Sequence, residues 1–211
     1  ACKVGGVRRD LNAGQVKLFK DNLALLRKDL ETIIPTFLED KTVALRLKGV
    51  GVLTAEDAHA FGCVGPMARA SGLMEDYRLY DEGGAYKELG FKPVLERSGD
   101  CYARVAVRIG ELYQSLNLIG AALDNLPEGE IAVRPMGFPP VGECFTRVEQ
   151  PRGEAIYYVK GNGTKNLERF KLRTPTNANI PALVKMLAGC DLADVPNIIL
   201  TIDPCISCTE R

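Results

Sequence analysis

The sequence predicts an α+β fold, mainly α, in which long antiparallel helices pack beside a small antiparallel β-sheet. Two long stretches place apolar residues at steps of three and four, which is the spacing of one helical face. In the C-terminal third this spacing gives way to alternation, which is typical of strands. With 211 residues and 46% hydrophobic content, the chain is long enough to bury the core of a single domain over residues 1–211.

The first long helix is predicted over residues 11–38. A bend is expected near Pro35, because proline removes a hydrogen bond inside a helix. A shorter segment follows at residues 42–47. Thr54 has the character of a helix N-cap, since Glu56 and Asp57 fall in the first turn after it, and it predicts a short helix through His59.

The second long helix is predicted between Asp100 and Pro127, antiparallel to the first. Residues 62–72, which precede it, are rich in small side chains that allow backbones to approach closely. Residues 77–98 have no periodic pattern and are expected to be irregular.

Alternation predicts three strands that together form the sheet. Their expected ranges are 145–149, 155–160 and 167–173, with a turn at 161–163. A modest helix over residues 177–187 is expected to end at Gly189. The apolar run at residues 198–202 leads into the C-terminal cysteines.

The composition excludes several classes of function. Lysine plus arginine and aspartate plus glutamate both number 27, so no net charge steers the chain toward nucleic acid. Seven irregularly spaced cysteines fit the reduced thiols of a cytosolic protein better than a secreted disulfide scaffold. No apolar run approaches the roughly 20 residues of a membrane span, so membrane association requires a partner subunit. Residues 1–10 have no leader-like pattern and are expected to continue from a longer protein.

Cys205 and Cys208 form the most informative motif, a C-x-x-C pair close to the end of the sequence. Two thiolates at this spacing can share one soft metal ion. A redox pair of the thioredoxin type is disfavoured, because no chain is expected to remain for the helix that lowers the thiol pKa. A complete zinc site takes four ligands, so the pair represents half of a site.

Other candidate ligands are scattered along the chain. His59 is the only histidine and is assigned no role. Four single cysteines are interpreted as small buried hydrophobic residues: Cys63, Cys101, Cys144 and Cys190. The apolar stripes of the helices are interpreted as core or subunit interface.

The segment Pro151-Arg152-Gly153-Glu154, together with Asp203 and the two terminal cysteines, resembles the large subunit of nickel-iron hydrogenases. Three further motifs, at residues 5–11, 62–69 and 99–104, resemble the related 49 kDa subunit of respiratory complex I. Membrane-bound energy-converting hydrogenases of the formate hydrogenlyase type combine both sets of motifs. The sequence is similar to the C-terminal half of such a catalytic subunit.

This resemblance implies a nickel-iron centre whose iron carries carbon monoxide and cyanide. Cys205 corresponds to a terminal nickel ligand, and Cys208 corresponds to a thiolate that bridges nickel and iron. Arg152 corresponds to the arginine over the open metal position, and Asp203 to the carboxylate that pairs with it.

Two further residues are implied to contact the ligands of the iron. Pro151 is expected to pack beside the diatomic ligands, and Thr176 is expected to donate a hydrogen bond to a cyanide. The family site has a second, upstream cysteine pair that these 211 residues do not contain. Only half of the protein ligands are therefore present, and the chain alone is expected to be inactive.

The last residue departs from part of the family. Arg211 stands where many soluble hydrogenases have a histidine at a magnesium site, so a magnesium ligand is not implied here. The end also matches the point at which a maturation protease cleaves such subunits. The resemblance further implies an iron-sulfur subunit that exchanges electrons with the centre, and membrane subunits that hold the protein at the cytoplasmic face of the membrane.

Two other functions remain open at this point. The first is a 49 kDa-like subunit of an NADH-quinone oxidoreductase, which has lost the nickel site and uses the cavity for quinone. In such quinone-reducing subunits other residues replace the terminal cysteine pair, so the presence of Cys205 and Cys208 in this sequence argues against this function. The second is a noncatalytic assembly domain that holds partner subunits together, with cysteines that are vestigial or bind adventitious zinc.

Overall fold

The structure is a computed structural model that describes residues 2–134 and 139–210. Over these residues the elements are β1 (Cys2–Lys3), β2 (Gly6–Val7), α1 (Ala13–Leu38), α2 (Lys41–Leu47), α3 (Ala55–Ala60), α4 (Pro66–Ala70), α5 (Cys101–Asp124), β3 (Val141–Gln150), β4 (Gly153–Asn162), β5 (Leu167–Arg173), α6 (Pro175–Leu187), α7 (Val195–Ile202) and α8 (Ile206–Thr209). The predicted fold class is confirmed. The expectation about Arg211 lies outside the described residues.

Helices α1 and α5 run antiparallel, as predicted. Asn12 caps α1 in a reciprocal box with Gln15, and the Asp100 side chain caps α5 by accepting from the Ala103 N–H. Contacts between opposite ends establish the antiparallel register: Lys20 with Asp124, Arg27 with Asn117, and Tyr102 with Leu38.

The predicted apolar stripe of α1 is mostly exposed. Ile34 is buried, whereas Phe19, Leu26, Ile33 and Phe37 are each about half exposed. Helix α5 instead buries several of its side chains, because the short helices pack along it. Helix α1 therefore carries an apolar surface that faces solvent.

The core lies where the short helices meet the start of α5. Its buried members come from helices α3 to α7 and from the segments just before α3 and α4: Leu53, Ala58, Cys63, Met67, Ala68, Cys101, Ala182, Met186, Ile198 and Ile202. Cys63 and Cys101 are buried as predicted, and Cys190 is partly buried. The prediction for Cys144 is wrong, because β3 is an edge strand whose first eight residues are exposed.

Strands β3, β4 and β5 form an antiparallel sheet in that order. Gln150 pairs with Gly153, so Pro151 and Arg152 make the two-residue turn between β3 and β4. The turn predicted at residues 161–163 lies at the end of β4, next to an irregularity in the pairing with β5.

The C-terminal elements differ from the prediction in two ways. Helix α6 begins at Pro175, two residues earlier than predicted, so Thr174 takes the N-cap position. The expectation that no chain remains for a helix after Cys205 is wrong. Helix α8 forms one turn there, with Cys205 as its N-cap. The apolar run at residues 198–202 belongs to helix α7. Within residues 2–134 and 139–210, no helix has both the length and the apolar character needed to cross a bilayer.

Candidate functional site

The hairpin turn at Arg152 is fixed against the loop that precedes α4. Gly65 has a φ of 69°, and a Cβ there would lie 2.3 Å from the Arg152 carbonyl oxygen. Gly153 has a φ of 128°, and a Cβ there would lie 2.7 Å from the Gly65 nitrogen. Glycine at both positions permits this close approach, as the run of small residues predicted. The loop thereby positions Arg152.

Arg152 and Asp203 form the predicted pair. Arg152 Nε donates to the Asp203 carbonyl oxygen at 2.7 Å, and Nη2 donates to Asp203 Oδ1 at 3.1 Å. The side chains are 31% and 43% exposed, respectively. The guanidinium is therefore oriented by one residue and remains partly open to solvent.

Asp203 also redirects the chain. It is the C-cap of α7 and has φ 56° and ψ 61°, which makes it the one non-glycine residue with positive φ in the described part of the chain. Aspartate tolerates this left-handed conformation better than most residues. The reversal turns the backbone from α7 toward the start of α6.

The terminal cysteines lie against the first turn of α6. Thr174 Oγ1 donates to the Cys208 carbonyl oxygen at 2.6 Å, and Thr176 Oγ1 accepts from the Cys205 N–H at 3.3 Å. Both threonines are 3% exposed. The structure thus brings Thr176 to the cysteine pair, and its hydrogen bond to a cyanide stays a prediction. Thr174, which belongs to the Thr174-Pro175-Thr176 segment that carries part of the family resemblance, adds a second contact to the pair.

The two thiols have different environments. Cys205 Sγ lies 3.2 Å from Ser207 Oγ. This hydrogen bond, with smaller contributions from Cys208 and the Arg152 charge, lowers the pKa of Cys205 to about 7. Burial, and then the neighbouring Cys205, raise the pKa of the Cys208 thiol. The pair therefore releases one proton near neutral pH and retains the second more strongly.

The cysteine pair alone does not complete a metal site. In the two described ranges, no group of three or more histidine, cysteine, aspartate or glutamate side chains is arranged to hold a metal ion. Cys205 and Cys208 do lie one helical turn apart on the same segment, and thiolates suit nickel, iron and zinc. The arrangement fits half of a four-thiolate site.

A buried arginine connects the hairpin to the helices behind it. Arg69 on α4 donates to Glu111 on α5 at 2.7 Å and to Glu149 on β3 at 2.9 Å, and lies 3.0 Å from Asp76. Arg69 is 1% exposed. Burial raises the pKa of Glu149, while the charge of Arg69 opposes that shift. This network holds the base of the Arg152 hairpin.

A second buried arginine connects α5 to α7. Arg104 Nε donates to the Thr201 hydroxyl at 3.1 Å, and Nη1 donates to the carbonyl oxygens of Gly51 and Gly99 at 3.0 and 2.8 Å. Its Nη2 lies 3.1 Å from Cys101 Sγ. These contacts fix the helix that ends at Asp203.

Sequence analysis missed Arg108, which lies one turn after Arg104 on α5. Arg108 lines a cavity of about 450 Å³ together with Pro151 and Asp203. The sequence signal that could have found it is a pair of arginines four residues apart on a largely apolar helix. Pro151 thus has two places in the structure: it forms the β3–β4 turn with Arg152, and it lines this cavity.

A family model described as the respiratory-chain NADH dehydrogenase 49 kDa subunit matches residues 1–139 and 135–211. Membrane-bound hydrogenase subunit alpha of Pyrococcus furiosus is 42% identical over 224 residues, covering 99% of this chain and 52% of that protein. Carbon monoxide-induced hydrogenase of Rhodospirillum rubrum is 41% identical over 212 residues, covering 100% of this chain and 59% of that protein.

A solved structure is also similar. A chain of the membrane-bound sulfane sulfur reductase, an archaeal respiratory membrane complex, has a TM-score of 0.91 and 34% identity, and the match covers 98% of this chain and 58% of that one. This chain thus spans between half and three-fifths of these relatives. The predicted resemblance to hydrogenase large subunits and to the 49 kDa subunit is confirmed. The chain belongs to the family of the respiratory-chain NADH dehydrogenase 49 kDa subunit.

Proposed function

We propose that these residues form the C-terminal half of the catalytic subunit of a membrane-bound nickel-iron hydrogenase, which interconverts dihydrogen with protons and electrons. The observation that carries the proposal is the meeting of the cysteine pair with the Arg152–Asp203 pair at the end of α7. The hydrogenase names of two relatives above 40% identity support it.

Cys205 and Cys208 would supply two thiolates to the nickel-iron centre, and the remaining protein ligands would come from outside these 211 residues. When bound, such a centre supplies a Lewis-acidic site for heterolytic cleavage of dihydrogen. Thr176 would hold the backbone of Cys205 and would place its hydroxyl near the iron's ligands, with Pro151 on the hairpin side.

Arg152 would provide a fixed positive charge beside the open side of the centre. Asp203 orients the guanidinium through two hydrogen bonds, so the charge is in place before a substrate arrives. The lowered pKa of Cys205 favours its thiolate at neutral pH. A side-chain hydrogen bond with Thr176, at the N-terminal end of α6, lowers the pKa of Cys208 and so opposes the larger effect of burial.

The same proposal includes an assembly. Electrons would pass to an iron-sulfur subunit, and membrane subunits would hold the protein at the cytoplasmic face of the membrane. Support comes from the membrane-bound hydrogenase of Pyrococcus furiosus and from the respiratory membrane complex that contains the structural relative.

The test uses the full-length subunit purified in its native complex. Nickel and iron near one each, with infrared bands of metal-bound carbon monoxide and cyanide, are expected for the wild type. Cys208→Ser should lose nickel, because a thiolate ligand is removed. Cys144→Ser, at an exposed cysteine on β3, is the matched control and should retain it. Stoichiometric nickel in Cys208→Ser would remove this residue from the metal site.

A quinone-reducing subunit of the 49 kDa type is the second candidate. The observation in its favour is the family model, which spans the whole chain and is described by the NADH dehydrogenase subunit. Absence of nickel from the intact wild-type complex, combined with quinone reduction by that complex, would establish this candidate and make the terminal cysteines a remnant.

A further inference from the structure

Helices α1 and α5 each carry a line of exposed apolar side chains. On α1, Phe19, Leu26 and Ile33 recur every seven residues, and each is about half exposed. On α5, Leu112 and Ile119 have the same spacing and a similar exposure. Seven residues make close to two helical turns, so each set forms a line along one side of its helix.

Polar contacts mark the line along which the two helices touch. Lys20 forms an ion pair with Asp124, and Arg27 donates a hydrogen bond to Asn117. The guanidinium of Arg27 also lies over the ring of Tyr113. The two contacting residues of α1 are seven apart, as are their two partners on α5, so the antiparallel register is constant over these two turns.

The two apolar lines lie on the same side of this contact line. Leu26 directly precedes Arg27 on α1, and Leu112 directly precedes Tyr113 on α5. One residue turns the side chain by about 100° around a helix, so both apolar lines are rotated in the same sense from the contact residues. A twofold axis perpendicular to the helices relates the members of an antiparallel pair. Equal rotations therefore place both lines on one face of the pair, which we call the apolar face.

The opposite face of the pair has another character. A groove there is lined by charged and small residues, among them Lys20, Ala24, Gly120 and Asp124. The apolar residues are thus concentrated on one face. A contiguous apolar surface of this kind marks a place that another molecule or segment covers.

The charges of α1 argue against a lipid surface as the covering partner. Helices that bind membrane surfaces are rich in lysine and arginine on the polar face. The exposed charges of α1 are of both signs, with Lys17 and Lys28 interspersed with Asp21 and Asp29. A protein segment fits the apolar face better than a membrane does.

The hydrogenase relatives are long enough to supply such a segment. The chain covers 52% and 59% of the two relatives, so about two-fifths or more of each lies outside the match. We propose that a helix of the same subunit, from outside residues 1–211, packs lengthwise on the apolar face and extends the α1–α5 pair into a helical bundle. A helix fits because its side-chain ridges seat in the groove between two antiparallel helices.

This proposal rests on the part of the proposed function that makes these residues half of a longer subunit, and it does not depend on nickel. Nickel content is therefore measured on every preparation used below. Absence of nickel from the wild type would remove the hydrogenase assignment and leave the packing proposal as it stands.

The first experiment is photocross-linking in the native complex of the full-length subunit. Leu26 is replaced by p-benzoylphenylalanine, and the control carries the same group at Lys28, which is exposed and lies on the opposite side of α1. Irradiation should join position 26 to a peptide of the same subunit outside residues 1–211, and the control should not yield this product. A product with another subunit, a lipid or a second copy, or no product at all, would overturn the proposal.

The second experiment measures how far Ile119 is covered. Ile119→Cys is alkylated with N-ethylmaleimide in the native complex and in urea, and peptide mass spectrometry separates it from the native cysteines. The rate in the native complex should be at least about tenfold below that in urea, because a covered side chain reacts only when the local structure opens. Lys28→Cys is the matched control and should react at similar rates in both. Equal rates for Ile119→Cys in the native complex and in urea would overturn the proposal.

Discussion

Two arginine-centred regions of the molecule differ in how completely their partners surround them. The closed cluster consists of Arg69 and Arg104 with their partners, and both arginines are 1% exposed. The open cluster consists of Arg152 and Arg108 with Asp203, at the wall of a cavity. Arg152 is partly exposed, and Arg108 has an unpartnered Nη2 among the described residues.

The difference separates residues that build the site from residues that act in it. A buried charge is stable when carboxylates and carbonyl oxygens satisfy it, and such a network holds its elements in one arrangement. Donors that remain unfilled beside a cavity can bind something else. The closed cluster therefore fixes the hairpin and α7, whereas the open cluster leaves hydrogen-bonding groups less completely surrounded.

Removing the charge of Arg69 is expected to have the largest effect on stability. Arg69→Met leaves the buried carboxylates of Glu149 and Asp76 without this partner. The free energy of unfolding should fall by roughly 3–5 kcal/mol, the cost of breaking a buried ion pair from one side. Urea denaturation followed by circular dichroism measures the change.

The matched control is Arg169→Met, at an exposed arginine on β5. It should change the free energy of unfolding by no more than about 0.5 kcal/mol. If Arg69→Met behaves like this control, the closed cluster does not hold the hairpin, and the contrast between the two regions fails.

The next effect concerns two thiols, one in the buried core and one next to the open cluster. The pKa of Cys205 is lowered to about 7, chiefly by Ser207, whereas burial raises the pKa of Cys63 to about 11. At pH 8 roughly 90% of Cys205 but only about 0.1% of Cys63 is thiolate, the reactive form. Iodoacetamide should therefore modify Cys205 in the metal-free protein and spare Cys63.

Mass spectrometry of peptides after timed alkylation checks this contrast. The rate at Cys205 should rise as pH increases through about 7, because the lowered pKa means that the thiolate forms above that value. Ser207→Ala should move the midpoint upward, since it removes the first cause of the shift. Equal rates at Cys63 and Cys205 would contradict the assignment of one thiol to a closed environment.

The smallest effect on stability is expected at Arg152. Arg152→Lys keeps the charge but loses the two-pronged contact with Asp203, and the pair is partly exposed. The free energy of unfolding should change by less than about 1 kcal/mol. In the nickel-loaded full-length subunit, hydrogen turnover should nevertheless fall sharply, because an ammonium group cannot reproduce the planar guanidinium.

Denaturation and a hydrogen-evolution assay on the same preparation separate the two readouts. Arg169→Lys should leave both unchanged. A stability loss at Arg152 as large as that of Arg69→Met would place Arg152 in the closed cluster, and unchanged turnover would remove it from the mechanism.

Local sequence patterns predicted the long elements well. Periodic apolar residues located α1 and α5, and alternation located the three strands of the larger sheet. The family motifs identified Arg152, Asp203 and Thr176. In the structure, Arg152 donates a hydrogen bond to Asp203, which lies two residues before Cys205, and Thr176 accepts one from the Cys205 N–H. Their roles at a metal centre remain predictions.

Features that depend on tertiary contact were missed. The tight turn at Pro151 and Arg152 lacks the usual Asn-Gly or Asp-Gly pair, and its contact with Gly65 comes from a distant part of the chain. Helix α8 has only one turn, too short for a periodic pattern. The exposure of Cys144 depends on β3 being an edge strand, which a single strand's sequence does not reveal.

The left-handed backbone of Asp203 sets the mutational tolerance of this position. Glycine would accept the φ of 56° but would remove the carboxylate that holds Arg152. Asparagine would keep the backbone and the shape without the charge. Glutamate would keep the charge, but its longer side chain lacks the local hydrogen bonding that lets aspartate adopt this conformation. Glutamate, the chemically conservative replacement, should therefore be poorly tolerated at position 203, and few other amino acids should be tolerated there.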